Sequence, residues 1–271
     1  MAEIPNPTPI EDVASETPEF VRRVSSAELD EQLKIFLVGS RRTGTVTITS
    51  LLDELNLGPS YHGWTLWRNK NRDVAFWENV MIKEGKNIDW DELYVKYQYR
   101  VTSDEPSILF WHEICDFYPH CKVILTMRDG NKWYKSYYNA IIKVINNTMI
   151  KFIVRRLKHF VPNACVYFTI FKYGLIKTFD YIEGDKAFDK DIAINKYNER
   201  NNDIINYFKN NNTKHRLFIL NWDRKDKNKM FMELMSFLEI KLSDDELKQR
   251  KIDNKGGLFP HKNNTNRMNR E

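Results

Sequence analysis

Lys34-Ile35-Phe36-Leu37-Val38-Gly39-Ser40-Arg41-Arg42-Thr43-Gly44-Thr45-Val46 is the stretch that decides the fold. Ile35 to Val38 is an unbroken apolar run that stops at a glycine, the pattern of a strand buried on both faces in a parallel sheet. Beyond the loop Gly39–Thr45, apolar Val46, Ile48, Leu51, Leu52 and Leu55 recur at roughly helical spacing until Gly58-Pro59 ends the series. The unit is strand, glycine loop, helix. Such a loop turns backbone N–H groups inward ahead of a helix N-terminus, and an oxyanion is its natural occupant.

The rest of the chain repeats this grammar. Strands are expected at Tyr97–Val101, Lys122–Met127 and Arg216–Asn221, and helices at Ser107–Tyr118, Asn131–Ile145 and Lys229–Leu238. Alternation of this kind predicts an α/β fold with a central, mostly parallel sheet flanked by helices. Residues 1–33 read as a flexible N-terminal arm, because Pro5, Pro7, Pro9 and Pro18 interrupt regular structure. No linker is visible after it, so 34–271 is expected to be one domain. The stretch from Met149 to Asp191 mixes cations with aromatics and reads as a helical insert over the site.

Composition narrows the class. The 271 residues carry 42 Lys+Arg against 37 Asp+Glu, a formal charge of +5, and 42% are hydrophobic, enough for a sizeable core. A surplus that small favours an anionic ligand only mildly. Three cysteines are too few for a disulfide framework and suit a reducing, cytoplasmic setting. The N-terminus has no apolar signal region, and Phe160–Ile176 falls short of the ~20 residues of a membrane span.

Gly39 and Gly44 have the spacing of the nucleotide loop GxxxxGK[ST], but Thr45 and Val46 stand where its Lys and magnesium-binding Ser/Thr belong. Arg41 and Arg42 supply fixed cations earlier in the loop, which suits a donor handled without a metal. A second constellation is Arg128, at the end of an expected strand, with Ser136 eight residues on. A guanidinium fork and a hydroxyl there are able to converge on one phosphate.

Together these segments resemble the sulfotransferase family that uses 3′-phosphoadenosine 5′-phosphosulfate (PAPS) as donor and yields adenosine 3′,5′-bisphosphate. Arg41-Arg42-Thr43-Gly44-Thr45-Val46 overlays the family's phosphosulfate loop, with Arg42 on the lysine that reaches the transferring group. Arg128, Ser136 and Tyr137-Tyr138 overlay its 3′-phosphate motif, and Lys255-Gly256-Gly257 its closing segment more loosely. Tyr61-His62, Asp104 and Pro106 before Phe110-Trp111, Arg128-Asp129 with Trp133, and Phe259-Pro260-His261 are similar to a flatworm branch of the family. Two features depart from the animal pattern. Thr47 occupies the position of the adenine-stacking tryptophan, leaving Trp222 as a candidate, and Asp104 stands where a catalytic histidine is usual.

The resemblance implies sulfuryl transfer to a small apolar alcohol or phenol, with no metal. Asp104 is expected to be the general base, its pKa raised toward neutrality by burial, or else a helix N-cap. Arg42 is expected to stabilise the leaving group, and Tyr61, His62, Trp64, Phe168 and Phe171, with Asp104, to line the acceptor pocket. His112, Cys115, His120 and Cys121 make a poor zinc set, because Pro119 breaks their geometry. Two other readings stand: a P-loop nucleotide kinase, and a non-catalytic nucleotide- or nucleic-acid-binding module using Arg224–Lys229 and Lys248–Lys251. The absent loop lysine weighs against the first. The interleaved Asp223, Asp226 and Asp253 weigh against the second, and neither nucleic acid nor membrane is an expected partner.

Overall fold

A computed structural model describes residues 32–147, 149, 162–179 and 188–260. Residues 1–31 of the expected N-terminal arm, residues 150–161 and 180–187 of the insert, and His261 lie outside these residues, whereas Leu33, at the end of the expected arm, is buried in the core. In chain order the elements are β1 (Ile35–Leu37), α1 (Thr45–Glu54), β2 (Ser60–Tyr61), α2 (Gly63–Arg68), α3 (Lys70–Ile82), β3 (Val101–Ser103), α4 (Trp111–Phe117) and β4 (Lys122–Met127). There follow α5 (Gly130–Tyr137), α6 (Lys143–Ile145), α7 (Pro162–Phe179), α8 (Lys190–Asn210), β5 (Leu217–Asn221), α9 (Lys227–Phe237) and α10 (Asp244–Asp253).

Among the described residues the sheet has five strands in the order β2-β3-β1-β4-β5, every pair parallel. Ile35 pairs with Val101 on one side and Lys122 on the other, and Val123 opposes Leu217. The expected α/β class and parallel sheet are therefore found. Alternation along β1 divides the core into two layers. Phe36 and Val38 point into a cluster with Tyr61, Trp77, Trp90, Tyr94 and Phe110, while Ile35 and Leu37 join Ile48, Leu51 and Leu52 of α1 and Phe231 of α9. Both faces of the central strands are covered, which is why those strands read as uninterrupted apolar runs.

Several expected boundaries shift. The strand placed at Tyr97–Val101 begins only at Val101, because Gln98 turns with a φ of 59° and Tyr99 closes that turn on the carbonyl of Tyr94. The helix expected over Ser107–Tyr118 is a 3₁₀ turn (Ser107–Phe110) leading into α4. The helix expected over Asn131–Ile145 is α5 and α6 joined by a π segment, Tyr138–Ile142. α4 ends on the buried Arg216, whose guanidinium donates to the carbonyls of Cys115 (3.2 Å), Tyr118 (2.8 Å) and Cys121 (3.1 Å), satisfying acceptors that the helix end leaves open. The insert contains α7, tied to the body by buried Ile170 and Leu175. No helix among the described residues is long and apolar enough to cross a membrane.

The chain reverses direction about β1, adding β2 and β3 on one side and β4 and β5 on the other. In open parallel sheets the carboxyl edge at such a reversal is where ligands sit. The approach of β1 to β4 there requires a glycine: a Cβ on Gly39 would lie 1.9 Å from Thr126 Oγ1 and 2.6 Å from the Thr126 carbonyl oxygen. Gly39→Ala is expected to destabilise the fold by about 1–3 kcal/mol. The check is a lower urea midpoint at an unchanged slope.

Candidate active site

Three segments meet at the carboxyl edge: the loop after β1, the turn Asp104-Glu105-Pro106 after β3, and Arg128 after β4. The loop is fixed from several sides. Thr43 Oγ1 donates to the Ser40 carbonyl (2.6 Å) and lies 2.7 Å from Thr126 Oγ1, while the Trp222 indole N–H donates to the Thr43 carbonyl (2.6 Å). Gly44 takes the left-handed conformation (φ 85°) as N-cap of α1, and a Cβ there would meet the Trp222 ring at 2.6 Å. α1 has neither a side-chain cap nor an acidic residue in its first turn. Its N-terminus therefore presents backbone donors and a positive dipole end to the loop.

The two loop arginines diverge. Arg42, with a left-handed φ of 69°, sends Nε to Ser136 Oγ at 3.1 Å, and its carbonyl accepts from Arg128 Nη1 at 3.4 Å. Arg42 thus joins Arg128 and Ser136, 86 and 94 residues further along the chain, in one polar group. Arg128 Nε is buried and has no hydrogen-bond partner among the described residues. Arg41 goes the other way, its Nε donating to Asp104 Oδ1 at 2.7 Å and standing 3.4 Å from Glu105 Oε2.

Asp104 is buried and held in a left-handed conformation (φ 67°), a backbone state rare for aspartate and found where surrounding structure over-determines it. His62 Nε2 lies 3.5 Å from Asp104 Oδ2. Because the Trp64 amide donates to His62 Nδ1 (3.3 Å), the ring proton of the neutral tautomer is assigned to Nε2, facing the carboxylate. Gly63 permits this packing, since a Cβ would fall 2.9 Å from Asp104 Oδ2 and 3.3 Å from Arg41 Nη2. The 3₁₀ turn is capped by Pro106, so the Asp104 side chain is not a helix N-cap.

The expectation that burial lifts the Asp104 pKa is corrected. Burial pushes it up, but the Arg41 guanidinium and His62 together outweigh that and hold the carboxyl below its usual range. The raised carboxyl is its neighbour. Glu105 is buried, faces Arg41 at longer range and sits beside the Asp104 charge, and it is pushed up to about 7. Sequence reading missed Glu105, since a glutamate before proline in a turn looks like a surface residue. Arg200 on α8 also approaches this turn, a half-buried residue whose guanidinium donates to the carbonyls of Val38 (2.9 Å) and Ile108 (3.0 Å).

The remaining candidates divide. Tyr61 is a core residue, fully buried with its hydroxyl accepting from Trp77 Nε1 at 2.8 Å, so it does not line a pocket. Trp64 is 49% exposed beside His62. Phe168 and Phe171 fall on α7, but their side chains are outside the described residues. Val46 sits in the first turn of α1, after Thr45. Lys255, Gly256 and Gly257 follow α10, with their amides bonded back to Ile252, Lys251 and Asn254. The adjoining Phe259 packs edge-on against Trp222 (5.1 Å), which links this segment to the loop. Among the described residues no cluster of three or more His, Cys, Asp or Glu is placed to hold a metal ion.

A family model described as a sulfotransferase domain matches residues 34–268. A known relative, the Ava biosynthesis cluster protein M of Aspergillus versicolor, is 30% identical over 128 residues. That stretch covers 42% of this chain and 45% of the fungal protein, less than half of either.

The paired carboxyls give a pH signature. Glu105 has a folded-state pKa of about 7 against an ordinary 4.5, so it stabilises the fold fully below about pH 4.5 and loses that contribution as pH rises through 7. Glu105→Gln should flatten the stability profile over this window. Relative to wild type it should gain on the order of 3 kcal/mol between pH 4.5 and 8, read by denaturant titration at each pH. Asp104 has the opposite sign, its contribution being lost as pH falls below the usual carboxylate range.

Proposed function

The chain belongs to the sulfotransferase domain family, and from that premise we propose that it transfers a sulfuryl group from PAPS to a small apolar alcohol or phenol. The observation that carries this reading is the pair of anion sites on one sheet edge. One is the α1 N-terminus behind Gly44, which has no side-chain cap; the other is the group of Arg42, Arg128 and Ser136, where Arg128 Nε has no hydrogen-bond partner among the described residues. A donor with a phosphosulfate at one end and a 3′-phosphate at the other presents anions to both.

The residues present fit that donor. Arg41, Arg42, Thr43, Gly44, Thr45 and Val46 would surround the phosphosulfate with amides and cations, and Arg128 with Ser136 would take the 3′-phosphate, with Lys255, Gly256 and Gly257 closing over it. Trp222, half-buried and packed on Gly44 and Phe259, is an aromatic surface beside this loop for the adenine. Bound here, the donor supplies an SO₃ group on a good leaving phosphate. Arg42, bonded through Nε to Ser136 Oγ without the donor, would turn from that hydroxyl to balance charge on that phosphate. Asp104 is expected to accept the acceptor's proton as the new S–O bond forms and the bridging S–O bond breaks, its electron pair leaving on adenosine 3′,5′-bisphosphate. His62 and Trp64, beside Asp104, would face the acceptor.

Supporting observations come from outside the edge as well. The fungal relative's name places it in a biosynthesis cluster, in keeping with a small-molecule acceptor. The order of motifs from the loop to Phe259-Pro260 is similar to that of the schistosome sulfotransferase that activates the prodrug oxamniquine, so oxamniquine is a reasonable test acceptor. Cys115 and Cys121 are buried and free, in keeping with a reducing, cytoplasmic compartment.

Asp104→Ala is expected to abolish turnover of PAPS with a phenolic acceptor while leaving adenosine 3′,5′-bisphosphate affinity nearly intact. Retained activity in this variant would move the base to His62. Arg128→Ala should raise the dissociation constant of the bisphosphate by roughly 10- to 100-fold, the loss of a charge-assisted phosphate contact. Calorimetric titration and a sulfuryl-transfer assay separate the two effects.

A further inference from the structure

The loop arginine that faces the base is Arg41, and it is placed to serve two masters. Its backbone is pinned, because the Trp133 indole N–H donates to the Arg41 carbonyl at 3.1 Å. Its side chain extends from the same loop as the α1 N-terminus and ends on Asp104 at 2.7 Å and Glu105 at 3.4 Å. The pair with Asp104 is nearly dry, the side chains being 14% and 11% exposed. We propose, building on the sulfuryl-transfer reading, that Arg41 is a positioning residue shared between donor and base: it clamps Asp104 in the donor-free chain and moves to the sulfuryl oxygens when the donor enters.

The physics of the exchange is specific. A guanidinium prefers oxyanions it can grip with two parallel N–H bonds, and carboxylate and sulfuryl oxygens compete for the same fork. Asp104, left behind in a buried turn, loses its strongest opposite charge and becomes a better proton acceptor. The groups facing it after the exchange are His62 from α2, Glu105 from its own turn, and Tyr137 from α5, whose buried hydroxyl feels both carboxyls. Arg200 from α8 stands behind Glu105 and not against Asp104, so it does not replace the lost cation. The consequence is order: the base acquires proton affinity only in the donor-loaded chain. Asp104 then takes the acceptor proton where the sulfuryl group is already present.

The exchange has a signature that needs no turnover. PAPS binding should be accompanied by uptake of up to about one proton in mildly acidic buffer, because the carboxyl pKa moves up by about one to three units when its guanidinium leaves. Adenosine 3′,5′-bisphosphate, which lacks the sulfuryl oxygens, should bring markedly less. Calorimetry in two buffers of different ionisation enthalpy, without acceptor, reads the uptake in wild type. Asp104→Asn should abolish the PAPS-specific part, and Glu105→Gln should keep it. Equal uptake for the two nucleotides in the wild-type chain overturns the proposal, as does PAPS-specific uptake that survives in Asp104→Asn. Failure of both nucleotides to bind overturns the donor reading itself and this inference with it, whereas binding with equal uptake overturns the inference alone.

Discussion

The rest of the site depends on how Thr43 is held. Its hydroxyl bonds the Ser40 carbonyl and the Thr126 hydroxyl, and its carbonyl takes the Trp222 indole N–H. These partners come from the loop itself, from β4, and from the residue just after β5. The loop therefore cannot change shape without disturbing the sheet edge, and the α1 N-terminus is aimed by tertiary structure and not by the loop's own propensity. Gly39 and Gly44 are the complement of this arrangement: one lets β1 approach Thr126, and the other lets the loop lie on Trp222.

The same edge separates two adjacent carboxyls by geometry alone. Asp104 and Glu105 share a turn and are both buried. Burial alone would raise both. Asp104 has Arg41 at hydrogen-bond distance and His62 on its other oxygen, whereas Glu105 has the longer approach of Arg41, the weaker pull of Arg200 and the repulsion of its neighbour. Closer pairing wins at Asp104, and desolvation wins at Glu105. Glu105 also lies against α7, where Gly174 leaves room for its Oε2. The titrating carboxyl thus touches the helix of the insert as well as the loop.

Much of this was legible in the sequence, for identifiable reasons. The apolar pattern of Lys122–Met127 matches β4 to its ends, because a strand covered on both faces cannot avoid an unbroken apolar run, and the glycine loop marks the turn into α1. Other elements carried no such mark. β2 is two residues long, and α3 and α8 are rich in charged and aromatic residues that blur the helical stripe. Gln98 gave no hint of its left-handed turn, which moved β3 toward Val101. At the site, spacing predicts that Arg128 and Ser136 converge, and each of them contacts Arg42 of the loop. It did not show that Arg42 would turn toward Ser136 and Arg41 toward Asp104, because adjacent residues in an irregular loop have no periodicity to sort them. Tyr61 looked like a pocket residue and is core, since the partner that buries it, Trp77, comes from a helix the sequence did not disclose.

In the proposed function the sheet edge grips an adenylate ester by two separate anionic groups, with the chain's own amides and guanidinium groups. Calorimetric titration with adenosine 3′,5′-bisphosphate in the presence of a chelator, beside ATP with magnesium, tests it directly. Tight, chelator-insensitive binding of the bisphosphate and weak binding of magnesium ATP are expected. Binding of magnesium ATP alone, or loss of bisphosphate binding on chelation, would contradict it.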